Sequence, residues 1–105
     1  MLQAIFRQTL LALLLMSPAL AASPAEQRGK AYARANCARC HAIDLRSRSR
    51  LEAAPPFRTL HERYPIENLG EALAEGISTG HADMPVFQLR PEQIHDLLAY
   101  LKTLE

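Results

Sequence analysis

Apolar residues recur along this chain at helical rather than alternating spacing. Ile94, Leu97, Leu98, Leu101 and Leu104 mark one face of a helix opened by Pro91. Ile66, Leu69 and Leu73 give a shorter face over Pro65 to Glu75, with Gly76 placed just past its end. The pattern over Ser23 to Asn36 predicts a third helix. Ser23 suits its N-cap, Pro24 its first turn, and Glu26 the positive helix end. Gly29 inside it costs about 1 kcal/mol against alanine, which points to close approach of another helix. FRTLHERY, Phe57 to Tyr64, reads as a short helix stopped by Pro65. The intervening stretches, Ile43 to Phe57 and Ile77 to Leu89, read as loops; Pro55-Pro56 cannot lie mid-helix. No strand, repeat or interdomain linker stands out. The expected fold is all-α, with long loops that need something to wrap around.

The first residues have a different character. One basic side chain, Arg7, precedes the apolar run LLALLLM at Leu10 to Met16, Pro18 breaks it, and Ala19-Leu20-Ala21 offers a small-residue cleavage triplet. This predicts an export signal over residues 1–21, cleaved after Ala21 or alternatively after Ala22. An uncleaved membrane anchor is the weaker alternative, because a span needs roughly 20 apolar residues. Removing 21 of the 105 residues leaves 84, hence one expected domain over 22–105. A core made of protein alone is marginal at that size.

Charge is balanced in total and uneven in distribution. Without Arg7 the chain has eleven basic and eleven acidic side chains. Arg28 to Arg58 holds eight basic against two acidic residues, and Thr59 to Glu105 three against eight. The balance and the sparse aromatics lack the footprint of nucleic-acid binding. The basic segment is suited to steering an acidic partner.

The chemistry concentrates in Cys37-Ala38-Arg39-Cys40-His41. Two cysteines three apart with histidine directly after the second is the attachment pattern of a c-type haem. Positions i and i+3 lie about one helical turn apart, so both sulfurs reach vinyl groups on one ring and become thioethers. His41 then meets the iron as proximal ligand. Two readings compete. A redox Cys-x-x-Cys normally follows a strand, and none is expected here. A structural zinc site wants four ligands, and Cys37, Cys40 and His41 supply at most three.

The loop Ser78 to Pro85 holds the candidate sixth ligand. Met84 offers a soft thioether that favours Fe(II). Pro85 stiffens the chain after it, and Gly80 lets it bend before. Core filler is the ordinary alternative for a methionine. His81 is the main rival ligand, with His61 and His95 weaker.

Taken in order, Gly29, the CARCH pentapeptide, Pro55-Pro56-Phe57, Gly76-Ile77, Gly80 to Pro85 and Leu97 to Leu101 resemble a small bacterial class I c-type cytochrome, over essentially all of the mature chain. The resemblance implies an all-α, cytochrome c-like fold with several helices wrapped around one covalently attached haem c. It implies thioethers at Cys37 and Cys40, with His41 and Met84 as axial ligands of the iron. It implies a carbonyl of the proline pair, preferably that of Pro55, on the other ring nitrogen of His41. Gly29 would mark where the first helix crosses the last, near Tyr100. The chain departs from the family at Ala33, where an aromatic is usual, with Tyr32 one position earlier. It also has no tryptophan, so Arg46, Arg48, Arg50 and Arg58 are the candidates for the haem propionates.

Such a protein is an electron carrier rather than an enzyme. The expectation is a periplasmic one-electron carrier, either a monomer or a subunit of a small complex, with no stable membrane insertion. Its partners would be a donor dehydrogenase or quinol-oxidising complex and an acceptor oxidase or reductase. The alternatives are a haem subunit dedicated to one dehydrogenase, and a haem enzyme or gas sensor whose sixth ligand is displaced.

Overall fold

A computed structural model describes residues 21–105. The expected export signal, up to its last residue, lies outside the described residues. Among the described residues three α-helices carry the fold: α1 (Pro24–Asn36), α2 (Leu69–Glu75) and α3 (Pro91–Lys102). Two 3₁₀ segments, Phe57–Glu62 and Ile66–Asn68, precede α2. Among the described residues the only β pairing is an isolated antiparallel bridge between Ile77 and Phe87. No described helix is long and apolar enough to cross a membrane.

α1 begins where the sequence places it. The Ser23 hydroxyl accepts from the Glu26 amide at 3.2 Å, and the Glu26 carboxylate accepts from the Ser23 amide at 3.3 Å. This reciprocal pair satisfies two otherwise unpartnered amides of the first turn. α3 opens on Pro91, and the Arg90 amide donates to Gln93 Oε1 at 3.0 Å.

α1 and α3 cross at Gly29. A Cβ added there would sit 2.8 Å from Tyr100 Cβ and 2.6 Å from the Asp96 carbonyl carbon, so only glycine permits this approach. The Arg28 guanidinium grips the Asp96 carboxylate with two bonds, 2.9 and 3.0 Å, at the edge of the crossing. That pair holds Asp96 below, and Arg28 above, its ordinary pKa. It is a registry device more than a source of stability, since Arg28 is largely in solvent.

The two middle helices of the sequence reading are tighter and shorter than expected. Phe57–Glu62 is 3₁₀, because only a few residues separate Pro56 from Pro65 and Thr59 bonds back to Pro56. Both its amide (3.0 Å) and its hydroxyl (2.7 Å) reach the Pro56 carbonyl. The Pro65 to Glu75 helix is split. Asn68 donates to the Pro65 carbonyl three residues back, and the α-helix starts only at Leu69. Gly76 ends it with φ +105°, a conformation that side-chain-bearing residues rarely adopt.

Leu97 and Leu101 of α3, and Leu104 just past its end, are buried with Ala33 of α1, Leu73 of α2 and Ile66. Tyr100 is buried beside them and donates to the Ile43 carbonyl at 2.6 Å, tying α3 to the loop that follows the cysteine motif.

A cavity bounded by the cysteine motif and the methionine loop

The last turn of α1 runs on into the motif. Cys37 and Ala38 both donate to the Ala33 carbonyl, and His41 donates to that of Cys37 at 3.0 Å. This keeps Cys37 and Cys40 one turn apart at the same wall. The following loop folds back along the motif: Leu51 donates to the Cys40 carbonyl at 3.1 Å, and the Ala42 amide donates to Ser49 Oγ at 3.0 Å. Asp44 and Ser47 close its tip. The carboxylate accepts from the Ser47 hydroxyl and from the amides of Ser47 and Arg46, which hold the Asp44 pKa down at about 2.

These turns bring His41 over Pro55. His41 Nδ1 lies 2.8 Å from the Pro55 carbonyl oxygen. A carbonyl only accepts, so Nδ1 carries the proton and Nε2 keeps its lone pair. The Phe57 ring packs against the imidazole at 4.9 Å between centroids, tilted by 40°. Phe57 is itself fixed by its amide, which donates to the Ala42 carbonyl at 2.9 Å.

Cys37, Cys40, His41, Pro55 and Met84 all border one cavity of about 420 Å³. Its lining is mostly apolar, with Phe57, Leu60, Leu73, Phe87, Leu97 and Leu101 around the sides. Met84 comes to the cavity on the loop after α2. The Ile77–Phe87 bridge pinches that loop at its base, Gly80 bends it with φ +74°, and the Met84 amide donates to the His81 carbonyl at 3.1 Å. Met84 is half-buried. His81 also borders the cavity but is exposed, whereas His61 and His95 are exposed and border it nowhere.

The arrangement fits a large, flat, apolar ring. Without such a group the apolar side chains that line the cavity lack packing partners. Cys37 and Cys40 are half-buried and not joined to each other, and burial would push an unmodified Cys37 thiol up to about 11. Among the described residues no group of three or more His, Cys, Asp or Glu side chains is arranged to hold a metal ion, so the zinc reading lacks its ligands.

Arg58, one of the propionate candidates, donates to the Ser47 carbonyl at 2.7 Å and braces the loop. Arg46 borders a separate shallow groove with Lys30 and Tyr100. The arginine at the cavity is Arg63, which sequence reasoning missed, together with Tyr64, whose pKa burial raises. The signal was available: both residues end the segment that begins at Phe57, under His41. Tyr32 also borders the cavity, one position from the family's usual aromatic, while Ala33 is fully buried at 0% exposure.

A family model described as Cytochrome c matches residues 26–105. The match takes in both walls of the cavity, and the chain belongs to the cytochrome c family. It is thus a haem-c protein of the electron-transfer class, with one covalent haem and the Cys-x-x-Cys-His spacing at Cys37 and Cys40. This removes the dithiol reading as well. No curated protein and no solved structure is significantly similar to the chain.

Proposed function

We propose that the chain is an exported, periplasmic one-electron carrier. In this reading Cys37 and Cys40 form the thioethers, and His41 and Met84 are the axial ligands. When bound, the haem supplies a couple between Fe(II) and Fe(III). The observation that supports the reading is that His41 and Met84 border one mostly apolar cavity, with Nδ1 of His41 committed to Pro55.

Each residue then has a defined task. Pro55 fixes the imidazole plane and raises the basicity of Nε2. Phe57 stops the ring from turning. The leucines of α2 and α3 exclude water, which keeps reorganisation small as charge changes. Met84 supplies a thioether that favours the reduced iron. With both axial positions taken by protein, no site is open to a substrate, and the activity is electron transfer. Partners would be a donor dehydrogenase or quinol-oxidising complex and a terminal oxidase or reductase, met in small transient encounters.

The test is the optical spectrum of the periplasmically expressed protein and its Met84→Ala variant. The ferric wild type should show a far-red sulfur-to-iron charge-transfer band. Met84→Ala should lose it, bind carbon monoxide when reduced, and fall in midpoint potential. An unchanged spectrum in the variant would transfer the assignment to His81.

A further inference from the structure

The cavity is lined mostly by apolar side chains, yet the group it fits carries two propionate carboxylates besides its flat ring. A carboxylate held against such a lining needs a cation and hydrogen-bond donors. Among the described residues Arg63 is the only lysine or arginine that lines the cavity. Arg46, Arg48, Arg50 and Arg58, the candidates from the sequence, do not line it. Arg63 takes part in no ion pair among the described residues. Tyr64, beside it on the lining, is half-buried. The backbone fixes the two together. Both amides donate to the Leu60 carbonyl, at 3.0 Å from Arg63 and 3.3 Å from Tyr64. Leu60 is buried before the pair and Ile66 after it, and Pro65 restricts Tyr64 to extended backbone. The Arg63 charge partly offsets the rise that burial gives the Tyr64 pKa. Asp83 also borders the cavity, but a carboxylate repels a propionate.

We propose that Arg63 and Tyr64 clamp a haem propionate, the guanidinium as counter-ion and the phenol as hydrogen-bond donor, and that this clamp raises the reduction potential. The proposal rests on the covalent haem and not on the assignment of Met84 as a ligand. The chain has no tryptophan to offer a propionate, and two consecutive residues just past the Phe57–Glu62 segment supply both a charge and a hydroxyl. A planar guanidinium fork matches a carboxylate with two parallel bonds, which a lysine does not. An unpaired propionate stabilises the added positive charge of Fe(III), and a paired one does so less. Arg63 therefore favours Fe(II), and Tyr64 adds to this by drawing on the same carboxylate.

The experiment compares resonance Raman spectra and redox titrations of the holoprotein with those of Arg63→Gln, Arg63→Lys, Tyr64→Phe and Arg48→Gln/Arg50→Gln. The propionate bending mode reports hydrogen bonds to that carboxylate, and it should shift in Arg63→Gln and in Tyr64→Phe. At a fixed ambient potential, Arg63→Gln should lower the ferrous-to-ferric ratio roughly threefold to tenfold. Tyr64→Phe should lower it less. Arg63→Lys should recover most of the ratio, because charge returns, but not the bending mode, because the fork does not. Arg48→Gln/Arg50→Gln should move neither readout. A bending mode unchanged in both Arg63→Gln and Tyr64→Phe would overturn the clamp, and so would a mode that moves only in Arg48→Gln/Arg50→Gln. A lowered Tm with mode and potential unchanged would also overturn it, leaving the pair a merely structural role. Should Arg63→Gln fail to fold, Tyr64→Phe and Arg63→Lys decide on the same readouts. The carrier reading stands in each of these cases. It falls if the wild type has no reversible couple between Fe(II) and Fe(III), and the bending mode then decides the clamp by itself.

Discussion

Gly29→Ala puts the helix crossing under test, because the same substitution has opposite local and tertiary effects. Locally it helps: alanine in a helix interior is favoured over glycine by about 1 kcal/mol. At the crossing it does harm. The new methyl would lie 2.8 Å from Tyr100 Cβ and overlap the Asp96 carbonyl, a backbone group with no rotamer to yield. Overpacking of this kind costs about 1–3 kcal/mol, and a backbone obstacle argues for the upper end. Parting the helices also moves Tyr100 from the Ile43 carbonyl, which forfeits about 1 kcal/mol more. The net expectation is a loss of about 2–3 kcal/mol, or roughly 10–20 °C in Tm for a domain of this size. Thermal melts of the holoprotein, followed at 222 nm and in the haem band, would measure it. Gly70→Ala is the matched control. Its added methyl would rest 3.6 Å from Leu98 Cδ1 and 3.7 Å from Ile94 Cγ2, ordinary contact distances, so Tm should hold or rise slightly. A Gly29→Ala protein as stable as wild type, or equal losses at both positions, would refute the close crossing.

Tyr100→Phe should cost about 1–3 kcal/mol in denaturant titration, because it strips the buried Ile43 carbonyl of its 2.6 Å partner. Asp44 has a folded pKa of about 2, below its ordinary 3.8, so its stabilising effect is present above that value and is lost as pH falls toward 2. Asp44→Asn should therefore flatten the stability profile between about pH 4 and 2, measured by acid titration of the holoprotein. Cys37→Ala/Cys40→Ala, which prevents attachment, should leave a chain without fixed tertiary packing, seen as loss of near-UV circular dichroism, since the apolar side chains lining the cavity lose their packing partner.

What was legible in the sequence depended on whether a residue's task is local. Ser23, Pro24 and Glu26 declare the start of α1 because a helix cap is a property of four consecutive residues. Gly29 was legible because glycine inside a helix is costly and wants a reason. The CARCH spacing was legible because haem attachment demands it. The middle of the chain was harder. Helical periodicity over Phe57 to Tyr64 does not distinguish α from 3₁₀, and the deciding bond, Thr59 back to Pro56, lies at the segment's edge. Arginine placement was least legible. Arg58 and Arg63 are both charged neighbours of apolar positions, yet one braces a loop and the other borders the cavity. That difference follows from how the 3₁₀ segment is rotated, which depends on contacts remote in sequence.

The two walls of the cavity are built to different standards, and the difference bears on how such a site works. The His41 wall is cross-tied: Cys40 is bonded to Leu51, Ala42 to Ser49 and Phe57, and the imidazole to Pro55. The Met84 wall is a loop tied at its base by the Ile77–Phe87 bridge and by Gln88 and Leu89, which donate to the Ala74 and Leu73 carbonyls, while its tip has a glycine bend and two local bonds, Met84 to the His81 carbonyl and His81 to Thr79 Oγ1. Few ties mean a low free energy of local opening. In the proposed ligation the nitrogen side is therefore positioned by the polypeptide, whereas the sulfur side owes much of its order to the bond with iron. Thioether binds ferric iron less firmly than ferrous iron, so oxidation would loosen the wall that the chain itself holds least. His81, exposed on that same loop, borders the same cavity.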